Sequence, residues 1–140
     1  MKNLWPESFE ASEATPPKII LDEQSGLLPQ LTGDMVSATV TEMDPIDAMM
    51  YTHENDFSYQ FFLLGKFLKN YKFKIFDFSH SISIYPINVS IDEEIAKELG
   101  LDVNIHPESE EEFVVLIRRV FGSNRLKKVI GSIIQLSGSK

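Results

Sequence analysis

The sequence predicts an α+β fold: an antiparallel β-sheet of four to six strands with a C-terminal helical hairpin packed on one face. In residues 35–91, apolar side chains recur at every second position or in short runs, which is typical of strands. After Ser109 they recur every three or four residues, which is typical of amphipathic helices. We predict an N-terminal arm at residues 1–17 and a single domain at 18–140.

The first part of the chain is rich in proline, which disfavours regular structure in the arm. Because a fully disordered tail seldom keeps large aromatic residues, Trp5 and Phe9 indicate that part of the arm packs back onto the domain. Residues 18–21 could form a short strand. Residues 22–32 place three leucines on one helical face, which favours a helix after it.

The predicted strands begin with residues 35–43, where apolar and hydroxyl side chains alternate. Residues 44–56 are polar and predict a loop. Residues 57–64 are apolar on both faces, which predicts a central strand. Residues 70–78 predict a third strand, and its alternation changes phase at Ile75, which indicates a β-bulge.

Residues 81–91 predict a fourth strand, bent or at the sheet edge, because Pro86 lacks a backbone donor. Asp92 is placed to cap a short helix ending near Gly100, and residues 101–105 could form another short strand. Ser109 and Glu112 form a capping box, which predicts the start of the helical hairpin. The apolar positions of its two helices are Phe113, Leu116, Ile117, Val120, Phe121, Leu126, Val129, Ile130, Ile133 and Ile134.

The composition limits the chemistry. The chain has 140 residues, 43% of them hydrophobic, which suffices for the core of one domain, and no cysteine, which excludes thiolate chemistry and disulfides. It shows neither a signal-peptide pattern nor an apolar run of about 18 residues, so a cytoplasmic protein is expected.

Catalytic and metal-binding patterns are missing from the sequence. His53, His80 and His106 lack the spacing that presents two histidines to one ion, and no nucleophile motif or glycine-rich loop is present. We therefore expect no enzyme activity, no metal and no cofactor. The alternative is an enzyme that uses His80 with Asp77, at the end of the predicted third strand.

Charge is segregated along the chain, whose net charge is −8. Residues 1–65 hold eleven acidic residues and two lysines, whereas 113–140 hold six basic residues and no acidic one. The acidic residues after the first strand share a segment with Met49 and Met50, and methionine adapts to a partner while tyrosine anchors it. An alternative is that this segment only caps the sheet. The predicted partner-binding residues are Glu42, Asp44, Asp47, Tyr51, Glu54 and Asp56.

Two other functions stay open. A homodimer could form through exposed sheet edges or through Ile133 and Ile134. A nucleic-acid-binding module could use the basic C-terminal end with Tyr71 and Phe73 nearby, although such modules are expected to be basic overall. The basic residues concerned are Arg118, Arg119, Arg125, Lys127 and Lys128.

A resemblance that covers roughly residues 15–137 is carried by the segments 70–76, 79–82, 85–86, 109–113 and 121–123. In these segments the chain resembles small, uncharacterised bacterial α+β proteins. In size, acidity and make-up it is more loosely similar to immunity proteins of contact-dependent inhibition and related polymorphic toxin systems. The second resemblance implies an acidic cytoplasmic inhibitor that binds a basic toxin nuclease and occludes it, without catalytic residues of its own.

Overall fold

A computed structural model describes residues 1–51 and 57–138. Within these residues five strands and five helices form an α+β fold, which confirms the predicted class. None of the described helices is long and apolar enough to cross a bilayer. The elements are α1 (Pro17–Leu31), β1 (Val36–Glu42), α2 (Pro45–Tyr51), β2 (Phe57–Gly65), β3 (Lys72–His80), β4 (Ile87–Ile91), α3 (Glu93–Leu99), β5 (Asn104–Ile105), α4 (Glu110–Phe121) and α5 (Asn124–Gly138).

The sheet is an antiparallel meander in which the strands lie in sequence order, β1-β2-β3-β4-β5. β2 therefore lies inside the sheet, as its apolar faces predict. β1 forms one edge and the two-residue β5 the other.

The predicted bulge is present in β3. Phe61 pairs with Phe76 and the next residue, Phe62, pairs with Lys74, so Ile75 is the extra residue. Ile75 and Phe76 are both about 1% exposed and belong to the same core. Because the bulge shifts the alternation by one residue, Lys74 lies on the same face as Asp77 instead of the opposite one.

The helices α1, α4 and α5 cover one face of the sheet. The ring of Phe61 lies 6.0 Å from that of Phe121, and Phe78 lies 6.5 Å from Phe113. The amphipathic stripe of α4 is thus buried against aromatic residues of β2 and β3, as the helical hairpin prediction requires. Ser109 caps α4 by accepting a hydrogen bond from the Glu112 N–H at 3.2 Å.

Three sequence predictions are wrong. Residues 18–21 belong to α1, because Pro17 occupies its first turn and the helical period buries Leu21 while Ile19 stays about half exposed. Residues 45–51 form α2 and not a loop. The fourth strand is confined to β4, because residues 81–86 form a turn region in which Ile84 has a positive φ of 73°.

The N-terminal arm also differs from expectation. Trp5 and Phe9 are 75% and 73% exposed and contact each other, with ring centroids 6.3 Å apart, so they do not pack on the domain. The arm is held near its end instead. The Thr15 N–H donates to Glu110 Oε1 at 2.8 Å, and Tyr85 Oη donates to the Thr15 carbonyl at 2.9 Å.

This attachment gives Tyr85 an expected titration signature. Burial, and then the nearby Glu110 carboxylate, raises the pKa of Tyr85 to about 12. A raised pKa means that the stabilising contribution is complete below pH ~10 and is lost as the pH rises toward 12. Ultraviolet titration is expected to show a tyrosine component that ionises near pH 12.

The Tyr85→Phe variant tests this assignment. It should lose the late-ionising component and lower the free energy of unfolding by about 1 kcal/mol, because one hydrogen bond to Thr15 is removed. Superimposable titrations of the variant and the wild type would contradict the assignment.

Candidate functional site

The predicted acidic segment forms the end of β1 and the short helix α2. Asp44 caps α2, since its Oδ1 accepts a hydrogen bond from the Ile46 N–H at 2.9 Å. Asp47 lies in the first turn, where a carboxylate stabilises a helix. Pro45 occupies the first helical position, which suits its fixed φ. This pattern was the sequence signal for the helix.

The carboxylates of this segment are available to a partner. Glu42, Asp44 and Asp47 are exposed, and within residues 1–51 and 57–138 none of them forms an ion pair. Apolar side chains are exposed beside them: Ile46 by 70%, Met49 by 84% and Met50 by 70%. We call this the α2 surface; it consists of Glu42, Asp44, Ile46, Asp47, Met49 and Met50.

The remaining predicted partner-binding residues have no described geometry. Tyr51 ends α2, and Glu54 and Asp56 lie outside the described residues, as does His53. The structure therefore brings together three of the six predicted residues.

The possible catalytic pair does not come together. His80 is 7% exposed, its Nδ1 lies 2.8 Å from the Ser81 carbonyl oxygen, and its ring packs against Phe57 and Tyr59 on the face that the helices cover. Asp77 lies on the opposite face, three residues away on a strand that is regular after the bulge. In the described part of the chain no group of three metal-ligating side chains occurs.

The opposite face of the sheet carries a feature that the sequence analysis missed. One polar residue from each strand lies in register, so that five polar side chains form a continuous row across the sheet. Alternating polar positions in each strand were its only sequence signal, and they resemble an ordinary solvated face. This polar row consists of Thr41, Gln60, Asp77, Ser90 and Asn104.

A cavity of about 480 Å³ opens along this row, and we call it the polar cavity. Asp77 Oδ2 accepts from Lys74 Nζ at 3.0 Å inside it. Asp77 Oδ1 is buried and has no hydrogen-bond partner among residues 1–51 and 57–138. Asp47 of α2 also lines the cavity, so the polar cavity and the α2 surface are contiguous.

His106 lies at the same cavity, on the neighbouring row. Its Nδ1 is 2.9 Å from Asn88 Oδ1, across the pairing of β4 with β5. This contact holds the imidazole at the polar edge of the sheet.

The basic C-terminal end is partly engaged within the protein. Arg119 Nη2 donates to the Leu99 carbonyl at 2.9 Å. Arg125 lies over the Phe73 ring at 5.3 Å and 3.5 Å from Asp92 Oδ2, so Phe73 is covered by the cation that it was expected to assist. Arg118, Lys127 and Lys128 remain exposed.

Glu98 adds to this internal network. Its carboxylate accepts hydrogen bonds from the backbone N–H groups of Asn124 and Arg125 at 2.7 and 2.9 Å, and these bonds lower the pKa of Glu98. These hydrogen bonds cap the start of α5, so the Glu98 carboxylate stabilises the second helix of the hairpin.

Of the two residues proposed for a hydrophobic dimer contact, one is buried and the other is partly buried. Ile133 is 2% exposed and belongs to the core, and Ile134 is partly buried against that core. A homodimer would have to use another surface, such as the edge strand β1.

Comparisons with protein-family models, with curated proteins and with solved structures gave no match. No residue role can therefore be taken from a relative. The function must be inferred from the α2 surface and the polar cavity themselves.

Proposed function

We propose that this protein is a non-catalytic binding protein that recognises a basic protein through the α2 surface. The observation that carries the proposal is the grouping of three exposed carboxylates, which form no ion pair with any described residue, beside three exposed, large apolar side chains. Acidic groups around adaptable methionines are suited to a protein partner of opposite charge.

The two parts of the surface have different tasks in this proposal. Carboxylates attract a cationic partner over distances near the Debye length, about 8–10 Å at physiological salt, and so raise the association rate. Ile46, Met49 and Met50 then supply apolar contact area when water is expelled. Such an interface needs no catalytic group.

In its most specific form, the proposal is that the protein is a cytoplasmic immunity protein that neutralises a basic toxin nuclease by occluding it. Toxin nucleases need cationic surfaces to bind nucleic-acid phosphates. An acidic protein that covers such a surface blocks substrate binding by charge as well as by bulk. The resemblance to immunity proteins supports this class of partner.

The test uses the product of the gene beside this one as the binding partner, and the proposal expects that product to carry a basic toxin nuclease domain. A neighbouring gene without such a domain would count against the immunity proposal. The variant E42Q/D44N/D47N/E54Q/D56N removes five charges, and asparagine at position 44 keeps the capping oxygen of α2. We expect the dissociation constant to rise about tenfold to a hundredfold and protection against the toxin to be lost, because several rim charges each contribute about 0.2–1 kcal/mol.

A matched control removes five exposed charges elsewhere, in the variant E7Q/E10Q/E13Q/E23Q/D102N. Its net charge changes by the same amount, so its affinity should stay close to that of the wild type. Intact protection by the variant E42Q/D44N/D47N/E54Q/D56N, or equal weakening by both variants, would refute the proposed surface.

A further inference from the structure

The polar cavity contains an ion pair that leaves half of a carboxylate unused. The Lys74–Asp77 contact is solvent-accessible, with side-chain exposures of 46% and 25%. Lys74 engages only Asp77 Oδ2, and Asp77 Oδ1 has no partner within the described residues. A lysine ammonium acts as a point charge and cannot bind both oxygens of a carboxylate in a planar fork.

A guanidinium, unlike the ammonium of Lys74, has a shape that matches a carboxylate. It is planar and presents five N–H donors, two of which can bind both oxygens of one carboxylate. The neighbours of Asp77 in the polar row are Gln60 and Ser90, whose side chains offer acceptor oxygens for the remaining donors. The cavity volume of about 480 Å³ leaves room for an arginine side chain above the row.

The charges around the cavity also favour a cation. Its ionisable lining consists of Asp47, Asp77, Lys74 and His106. Its two carboxylates outnumber the single ammonium of Lys74. Asp47 links them to the α2 surface, so a cationic side chain of a partner seated on α2 could enter from that side.

We propose that the polar cavity is the receptor for an arginine side chain of the partner, whose guanidinium replaces Lys74 on the carboxylate of Asp77. The inference rests on the proposed function, since it supplies the basic partner. In this exchange one ion pair is broken and a bidentate one forms. Lys74 moves into solvent on its flexible stem, and the Asp77 carboxylate rotates about χ2 so that Oδ1, which is buried in this structure, faces the cavity beside Oδ2. The polar cavity thus makes the interface specific for arginine over lysine.

The test titrates the isotope-labelled full chain with N-acetyl-arginine amide and follows backbone amide shifts by NMR. N-acetyl-citrulline amide has nearly the same shape without the charge, and N-acetyl-lysine amide has the charge without the fork. We expect shifts at Gln60, Asp77 and Ser90 with the arginine probe, and a weaker response to both other probes.

Two variants on one strand should change the affinity for the arginine probe in opposite directions. Asp77→Asn is expected to weaken binding by about tenfold or more, because the charge-assisted fork is lost. Lys74→Gln is expected to tighten binding severalfold, because the competing ammonium is gone. Asp102→Asn and Lys72→Gln are the matched controls: both residues are exposed, do not line the cavity, and should leave the affinity unchanged.

The direction in which Lys74→Gln changes the affinity for the arginine probe shows whether the proposed exchange occurs. Weaker binding of the arginine probe in this variant, an equal response to citrulline, or no effect of Asp77→Asn would overturn the arginine site. These results would leave the α2 surface in place if the five-charge variant still loses the partner. Loss of the partner surface, conversely, would not change binding of the free arginine probe to the cavity.

Discussion

Replacing Phe113 with alanine is expected to lower the free energy of unfolding by about 3–5 kcal/mol. Phe113 is fully buried in α4 and its ring lies 6.5 Å from that of Phe78 in the sheet. Truncation removes the apolar area that this ring buries and leaves a cavity between helix and sheet. Because domains of this size are stable by about 5–15 kcal/mol, the loss is a large fraction of the total.

The same helix supplies the control for Phe113. Val115 lies two residues further along and is 56% exposed, so Val115→Ala should change the free energy of unfolding by no more than about 0.5 kcal/mol. Urea denaturation of both variants measures the difference, and the midpoint should move without a change in slope. Similar midpoints for the two variants would contradict the packing of α4 against the sheet.

The contrast between these two positions was predictable because α4 carries a strong sequence pattern. Its capping box fixes the first turn and its apolar residues keep helical spacing through Phe121. The bulge at Ile75 was equally predictable, because the alternation of apolar residues changes phase there. A bulge is the simplest way to bury two adjacent residues of a strand on one face. Strong periodicity therefore predicted the sheet, its bulge and the hairpin.

Short or mixed segments were not predictable in this way. The run Ile19-Ile20-Leu21 is too short to separate a strand from a helix, and the burial of Leu21 against the core favours the helix. The exposure of Trp5 depends on what the arm can reach, which local sequence does not encode.

The candidate site, too, was predicted only in part from the sequence. Charge and methionine content pointed to residues 42–56. Within that segment the structure shows Glu42, Asp44, Asp47, Met49 and Met50 exposed, whereas Met43 is buried. The polar row was not predicted because it depends on the registers of four strand pairs at once, and each register follows from turns and packing. The meeting of Lys74 with Asp77 depends further on the bulge between them.

The α2 surface and the polar cavity are expected to affect different rate constants of partner binding. Neutralising the exposed carboxylates of the α2 surface should lower the association rate constant by about tenfold or more at low salt, because steering is lost. The difference from the wild type should shrink as salt is added, since screening removes the steering of both proteins. The dissociation rate should change less.

Asp77→Asn should show the reverse pattern. Asp77 is three-quarters buried within the protein, so its side chain acts on a partner only after docking, and its loss should raise the dissociation rate with little effect on association. Surface plasmon resonance with the proposed partner immobilised, at two or more salt concentrations, measures both rate constants. If both variants altered only association, the cavity would be part of the general acidic field and not a contact. If both altered only dissociation, the carboxylates would act in the bound complex and steering would have no part in recognition.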